Sequence, residues 1–278
     1  MEREPVTAAR GRIDAHVHIR SLDALETISA TGVVAVRDAG LRENAASGFE
    51  LPKFAAGKPI VVSALWGLYK KGGYGSPFGV PMDGREEIAA EIHRLALSGA
   101  DIIKGMASGL VGLREPGRIT NGGFTGDELA FIVDEAVRYG LNVMAHANGE
   151  QTIMGAAKAG VRSVEHGFFM TARALEAMAK HGTFWTPTVG ALARASDRGT
   201  ISAEGKAFSA SLMRAHQEMI LHAHTLGVAL AVGTDCVLPD VRYKEAYEAE
   251  LKYFEQAGLT RDAVMTIACD SGARLLEI

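Results

Sequence analysis

The chain has 278 residues, 47% hydrophobic and 22% charged, with a formal net charge of −4 and two cysteines. That balance excludes a disordered chain and a disulfide framework and, with no basic run, a nucleic-acid partner. No stretch reaches the roughly 18 apolar residues of a membrane span, and the N-terminal MEREPVTAARGR lacks the apolar centre of a signal peptide, so a soluble, cytoplasmic protein is expected.

The first predicted strand, Arg12 to Ile19 (RIDAHVHI), alternates apolar Ile13, Ala15, Val17 and Ile19 with other residues. Period-two alternation places Asp14, His16 and His18 on one face. Two imidazoles spaced this way offer a bidentate grip for a metal such as zinc. Solvent-facing histidines produce the same short motif, so the positions that follow decide its meaning.

Glycine then recurs between an amphipathic stretch and an apolar run, at Gly32, Gly57, Gly99, Gly140, Gly160, Gly182 and Gly227. Glycine just past a helix is a left-handed stop. The runs that follow are VVAVRDA, PIVVSAL, DIIKGMA, NVMAHA, RSVEHG, TFWTPT and ALAVGTD. Short, continuous apolar runs fit strands covered on both faces, and with RIDAHVHI they make eight.

Between the strands the pattern is helical. REEIAAEIHRLALSG spaces Ile88, Ile92, Leu95 and Ala96 along one face, and GDELAFIVDEAVRYG does the same with Leu129, Ile132, Val133, Ala136 and Val137. Ser202 to Leu226 is the longest predicted helix, and Glu245 to Ala257 and Asp262 to Leu276 close the chain. Eight strand–helix units in about 250 residues predict an α/β fold, a (β/α)8 TIM barrel, as one domain over 1–278. An open doubly wound sheet ranks behind it, because no Gly-rich phosphate loop follows a strand. Trp66 to Gly84 and Ser108 to Thr125 are too long for simple turns. They leave the strand ends where such barrels build active sites, and Trp66, Tyr69, Lys70 and Tyr74 mark them as substrate-facing.

Polar residues interrupt the apolar strands at Lys104, His146, His166 and Asp235, each near a strand's C-terminal end. Buried Lys, His and Asp are costly unless satisfied, and a metal centre satisfies them together with His16 and His18. The remaining histidines, His93, His181, His216, His222 and His224, lie on helical stretches and read as solvated or capping. Alternation sends Glu165 to the face opposite His166, in an outer or supporting role. Arg37 and Asp38 read as supports of the site, and Cys236 as packing.

The order His-x-His, Lys, His, His, Asp on strands one, four, five, six and eight resembles the amidohydrolase superfamily, from about Arg12 to Leu276. VVAVRDAG, IIKGMASG and AHANGEQTIMGAAKAGVRSVEHG are most similar to its imidazolonepropionase-like and prolidase-like branch. The closing DAVMTIACDSGARLLEI resembles its final helix. The resemblance implies a binuclear centre of two divalent metals, zinc by expectation. His16, His18 and Asp235 would hold one metal, His146 and His166 the other, and a carboxylated Lys104 would bridge them. It further implies a metal-bridging hydroxide as nucleophile, with Asp235 passing its proton to the leaving group. The implied activity is hydrolysis of an amide-type C–N bond in a small molecule: an N-acyl amino acid, a dipeptide-like compound or a carbamate. The alternatives are an esterase, lactonase or phosphotriesterase on the same metals, and an inactive binding barrel. A mononuclear deaminase is disfavoured, since Gly149 stands where those enzymes usually have Glu.

Three departures from the family matter. Members usually carry a β-sandwich from segments flanking the barrel, whereas about eleven residues precede the first strand here. A bare barrel is therefore expected, with self-association into a homo-oligomer to cover apolar surface. The branch commonly reads His-Ala-Tyr-Gly after strand five, but here Asn148 replaces a Tyr that helps bind a substrate carboxylate. KKGGYG stands in place of a TGGHG pattern, with Tyr74 where His is usual. The expected substrate contacts are Tyr74, Trp66, Tyr69, Asn148 and Arg114, with no requirement for a free carboxylate on the substrate.

Overall fold

The protein is described by a computed structural model covering residues 11–42, 57–238 and 242–278. Its elements run β1 (Arg12–Ile19), α1 (Asp23–Ser29), β2 (Val33–Asp38), β3 (Ile60–Ser63), β4 (Gly67–Lys70), β5 (Gly79–Met82), α2 (Arg85–Leu97), β6 (Ile102–Met106), α3 (Gly126–Val137), β7 (Asn142–Ala147), α4 (Glu150–Ala159) and β8 (Ser163–His166). They continue as α5 (Ala172–His181), β9 (Phe184–Thr186), α6 (Val189–Ser196), α7 (Ala203–Leu226), β10 (Cys236–Leu238), α8 (Tyr243–Gln256), α9 (Arg261–Thr266) and α10 (Gly272–Leu276). A π-helical turn, Ile267–Ser271, joins the last two, so the predicted final helix is not one continuous α-helix.

All the ladders are parallel, in the orders β10-β1-β2-β3 and β5-β4-β6-β7-β8-β9. Two irregular joints close these arcs into the α/β barrel. At the first, the third barrel strand is split: β3 pairs with β2, and β4 pairs with β6. Leu65 between them has φ 57°, and the Asp101 N–H bridges to the Ser63 carbonyl at 2.8 Å. At the second, the predicted strand ALAVGTD is not a continuous strand but is hydrogen-bonded on both sides. Trp185 N–H donates to Ala229 O (2.8 Å) and Ala231 N–H to Trp185 O (2.9 Å). Facing β1, Ala15 N–H donates to Val232 O (2.8 Å) and Asp235 N–H to His16 O (2.7 Å).

Between the strands and the outer helices lies the main apolar layer, with Val17, Val36, Leu68, Ile103, Val143 and Val164 packed beneath Ile88, Ile92, Leu129 and Ile132. A second cluster plugs the N-terminal mouth: Ile13, Ala15, Ala35, Phe184 and Ala231 against Leu275 and Leu276 of α10. Helices α4, α5 and α7 end on left-handed Gly160, Gly182 and Gly227, as the recurring glycine predicts. The segment read as one long loop after strand three contains β4 and β5, and α6 has no counterpart among the predicted helices. No helix among the described residues is long and apolar enough to cross a membrane.

Candidate active site

The pairing of β1 with β2 slips midway: Asp14 lies opposite Val36, and Val17 opposite Asp38, three steps against two. Such a bulge resets the alternation of faces. Ile13 and Ala15 therefore join the plug inside the barrel, while Val17 and Ile19 join the layer beneath the helices. His16 and His18 turn inward above the plug. The reset also corrects the expectation that Asp14 shares their face. Asp14 is buried on the helix side, accepting from the Thr234 N–H (3.0 Å), the Thr234 hydroxyl (2.7 Å) and the Tyr243 hydroxyl of α8 (3.0 Å).

His166 and Asp235 reach the interior by another route, since both have left-handed backbone, with φ of 65° and 53°. Conformations of this kind cost free energy in non-glycine residues and cluster at functional sites. In β8, Val164 belongs to the helix-side layer, so Ser163 and Glu165 face inward by alternation. The left-handed turn then brings His166 in as well. The expected outward placement of Glu165 is thereby corrected: it is fully buried inside the barrel.

Each of the four histidines has one ring nitrogen against a fixed partner. His16 Nδ1 meets Glu165 Oε2 (2.7 Å), His18 Nδ1 the Gly40 carbonyl (2.5 Å), His146 Nε2 the Gly109 carbonyl (3.0 Å) and His166 Nδ1 the Thr188 hydroxyl (2.8 Å). An imidazole that donates through one nitrogen presents a lone pair on the other. The free donors are thus Nε2 of His16, His18 and His166, and Nδ1 of His146. His16 Nε2 and His18 Nε2 lie 3.4 and 3.3 Å from Asp235 Oδ1. These three residues form a compact group of metal-type donors, all within 4.8 Å of one another. The His166 ring centre is 5.1 Å from that of His16 and 4.6 Å from that of His146, which extends the cluster across the barrel mouth.

Lys104, on β6, is 1% exposed, and its Nζ is buried without a hydrogen-bond partner. Its stem passes Gly67, where a Cβ would stand 3.2 Å from Lys104 Cγ. Burial brings its amine down to about 8, with Arg37 adding to the shift and Glu165 and Asp235 opposing it. Burial, followed by the Lys104 charge, lowers His16 and His146 to about 4, so both are neutral donors. Burial alone would raise Asp235, yet the His18, His16 and His166 rings beside it hold its carboxyl well below the usual range.

One layer deeper, the buried Arg37 donates to the Ala15 carbonyl (2.7 Å), the Ser163 hydroxyl (2.9 Å) and Glu165 Oε1 (2.8 Å). Burial pushes Glu165 upward, but Arg37 and His16 outweigh it and keep the carboxylate ionised. The relay Arg37–Glu165–His16 fixes that ring, so Arg37 supports the site as the sequence suggests. Asp38 accepts from the Ile19 N–H and the Ser63 hydroxyl, tying β1 to β3.

Of the expected substrate contacts, Tyr74 is brought to the centre, its ring 5.0 Å from that of His146. Phe78 joins it, 4.2 Å from the His18 ring. Tyr69 is half-buried against Gly75, beneath the loop that carries Tyr74. Arg114 is exposed on the long loop after β6. Trp66 is a correction: its indole donates to Glu91 of α2 (2.5 Å) beneath the Arg94 guanidinium, on the helix side of the barrel. Asn148 is a second correction. It is 2% exposed, its amide nitrogen meets Gly109 O and His146 Nε2 (both 3.2 Å), and its oxygen accepts the Phe168 N–H (3.0 Å). That side chain is spent on the Gly109 carbonyl and the Phe168 N–H, beside the His146 ring. His216, expected to be solvated or capping, is instead buried between Phe168 and Trp185, bonded to the Pro187 carbonyl.

Sequence reasoning missed the carbonyls of Gly40 and Gly109, which carry no side-chain signature, and Thr188. A Thr closing the run TFWTPT was the available hint for the last.

Comparison with known proteins agrees with this geometry. Residues 10–278 match the Amidohydrolase family. The ochratoxinase of Aspergillus niger is 34% identical over 155 residues, 55% of this chain, and the match spans 32% of that protein's length. A prolidase crystallised with N-methylphosphonate-L-proline is 25% identical, with a TM-score of 0.77 over 96% of this chain and 74% of its own. The crystal structure of A. niger ochratoxinase, at 23% identity and a TM-score of 0.79, covers 96% of this chain and 71% of its own, and shares its fold. With a family match across the barrel, and the donor set converging at the strand ends, the chain belongs to the amidohydrolase family.

Proposed function

We propose that this protein is a metal-dependent hydrolase that cleaves an amide-type C–N bond in a small molecule, of the N-acyl amino acid, dipeptide-like or carbamate class. The observation that carries the reading is the donor set. Four imidazoles each have one nitrogen tied back and one lone pair free, around an ionised Asp235 and a buried Lys104 amine without a partner.

His16, His18 and Asp235 would hold one divalent ion, zinc by preference, and His146 and His166 a second. Lys104 fits the bridging place once its neutral amine adds to carbon dioxide, forming an N–C bond and releasing a proton to give an anionic carbamate. When bound, two such ions lower the pKa of water toward about 7 and polarise the scissile carbonyl. The residues supply the rest. Asp235 is ionised and takes the proton from the attacking water, then delivers it to the departing nitrogen. Arg37 and Glu165 hold His16 in its donor tautomer, and the Gly109 carbonyl does the same for His146. Tyr74 and Phe78 form a wall beside the reacting bond. The ochratoxinase and prolidase relatives support C–N cleavage as the chemistry.

The test pairs metal analysis with a substrate panel. Protein purified without chelator, in bicarbonate, should hold about two equivalents of divalent metal and prefer amides over matched esters and phosphotriesters. A stoichiometry fixed near one after metal and bicarbonate addition overturns the binuclear centre. A clear preference for esters or phosphotriesters overturns the C–N assignment.

A further inference from the structure

Two proposed metal ligands on separate segments, His166 ending β8 and Asp235 just before β10, are gripped by one short helix, α6. At its start, the Thr188 hydroxyl holds His166 Nδ1 at 2.8 Å. In its last turn, Arg194 Nη2 donates to the Thr234 carbonyl (2.5 Å) and the Asp235 carbonyl (3.2 Å), beside the left-handed backbone of Asp235. The helix is itself pinned from outside the barrel. Glu250 of α8, fully buried, accepts the Val189 N–H through Oε1 and the Gly190 N–H through Oε2, both at 2.8 Å. A carboxylate here accepts two of the unpaired N–H groups at a helix start at once, and only Asp or Glu can offer two acceptor oxygens. Gly190 makes room for this approach: a Cβ there would stand 2.9 Å from Glu250 Oε2 and 3.0 Å from Arg194 Nη1.

We propose that Glu250 is a positioning residue: by clamping the start of α6 it sets the geometry of His166 through Thr188 and of Asp235 through Arg194. The inference rests on the metal-hydrolase reading above. One buried side chain on an outer helix thereby couples a ligand of each proposed metal. No other described element bonds to both His166 and the Asp235 backbone in this way.

The experiment measures metal affinity by chelator competition, with Co2+ as a spectroscopic stand-in, alongside denaturant stability of the metal-free protein. Glu250→Gln keeps the shape but turns an N–H donor toward one of the two backbone donors. It should weaken metal binding about 10–100-fold, the usual effect of losing a residue that supports a ligand, and alter the Co2+ absorption envelope. Gly190→Ala forces the Glu250 carboxylate back, so the clamp predicts weakened metal binding and an altered Co2+ envelope, whereas a purely structural role predicts lower denaturant stability with metal affinity unchanged. Because Glu250 and Arg194 act on Asp235 in series, Glu250→Gln combined with Arg194→Met should lose much less affinity than the two single changes summed. Additive losses, or unchanged affinity and Co2+ envelope in both Glu250→Gln and Gly190→Ala, overturn the clamp while wild-type metal binding still stands. A wild-type chain that takes up no metal overturns the hydrolase reading and the clamp together. If Glu250→Gln fails to fold, Gly190→Ala and Arg194→Met decide the matter alone.

Discussion

Glu165 bonds to a permanent cation on one side and a neutral imidazole on the other, with no exposure to water. Glu165→Gln keeps the volume but strands the Arg37 charge inside the barrel. Removing one partner of a buried ion pair costs about 3–5 kcal/mol, so the variant should show a lower urea midpoint as well as weaker metal retention. A midpoint within error of wild type would show that water or another acid compensates Arg37. Lys104 should behave in the opposite sense. Its unpartnered Nζ is a stability liability in the metal-free protein, and an unsatisfied buried polar group costs about 1–3 kcal/mol. Lys104→Met is expected to raise metal-free stability by up to that amount while abolishing the bridge, read by denaturation and metal analysis side by side. Lower stability in that variant would place Lys104 in a structural ion pair instead. Asp235→Asn retains a ligating oxygen but removes the base. It should keep most of its metal while kcat falls by about 10²–10⁴-fold, the range for a lost general acid–base; an unchanged kcat rejects the proton-transfer role.

Among the elements, α8 reaches both β1 and the start of α6. Its buried residues Tyr243, Tyr247 and Glu250 share one face, and Tyr247 bonds to the Ile13 carbonyl while Tyr243 bonds to Asp14. Burial raises Asp14 to about 6 despite four hydrogen bonds that oppose it. Tyr243→Phe removes one of those bonds and should cost about 1–3 kcal/mol, measured by urea denaturation; a change under a few tenths would show the Thr234 contacts suffice. The helix was legible in the sequence from its pattern, but its partners were not, because the Asp14 contact depends on the bulge in β1. Period-two reasoning handles a regular strand well and fails where the backbone departs from it. The misplaced Asp14 and Glu165 mark two such points, one at a bulge and one beside a left-handed residue. Lys104, His146, His166 and Asp235 were legible because a charged or imidazole side chain in an apolar run is costly, and the cost itself is the signal. Trp66 misled for a related reason: an aromatic residue in a Gly-rich segment looks substrate-facing until the strand beneath it is known to turn it outward.

For the molecule as a whole, pH acts through buried groups. Burial lowers His216 to about 4. Between pH 6.5 and 4 the unfolded chain therefore binds a proton there that the native chain does not, and stability falls as pH falls across that window. At about 1.4 kcal/mol per unit, His216 accounts for a loss of roughly 3 kcal/mol. Glu250 works the other way: burial raises it to about 7, so the native chain binds the extra proton and stability falls as pH rises from 4.5 to 7. The urea midpoint of His216→Gln should accordingly rise relative to that of wild type as pH falls from 7 to 5; a difference between the two midpoints that does not change with pH would exclude the assignment. The eight-unit order was readable from glycine punctuation and apolar runs alone. The two joints that close the ring were not, since each is held by a few hydrogen bonds across broken strands rather than by a sustained pattern.

The bulge in β1 also carries a lesson about mutation. Because three residues there answer to two on the neighbouring strand, the stretch from Asp14 to Val17 works as a frame, and everything downstream inherits its phase. Pairing the same residues with β2 in unbroken register from Ile13 onward would, by sheet criteria alone, improve the strand. It would also rotate both histidines into the hydrocarbon beneath the helices and present Val17 and Ile19 to the barrel mouth. A lineage that tidied this strand would keep its barrel and lose its chemistry in one step, so the irregularity is the feature whose persistence separates a working descendant from a silent one.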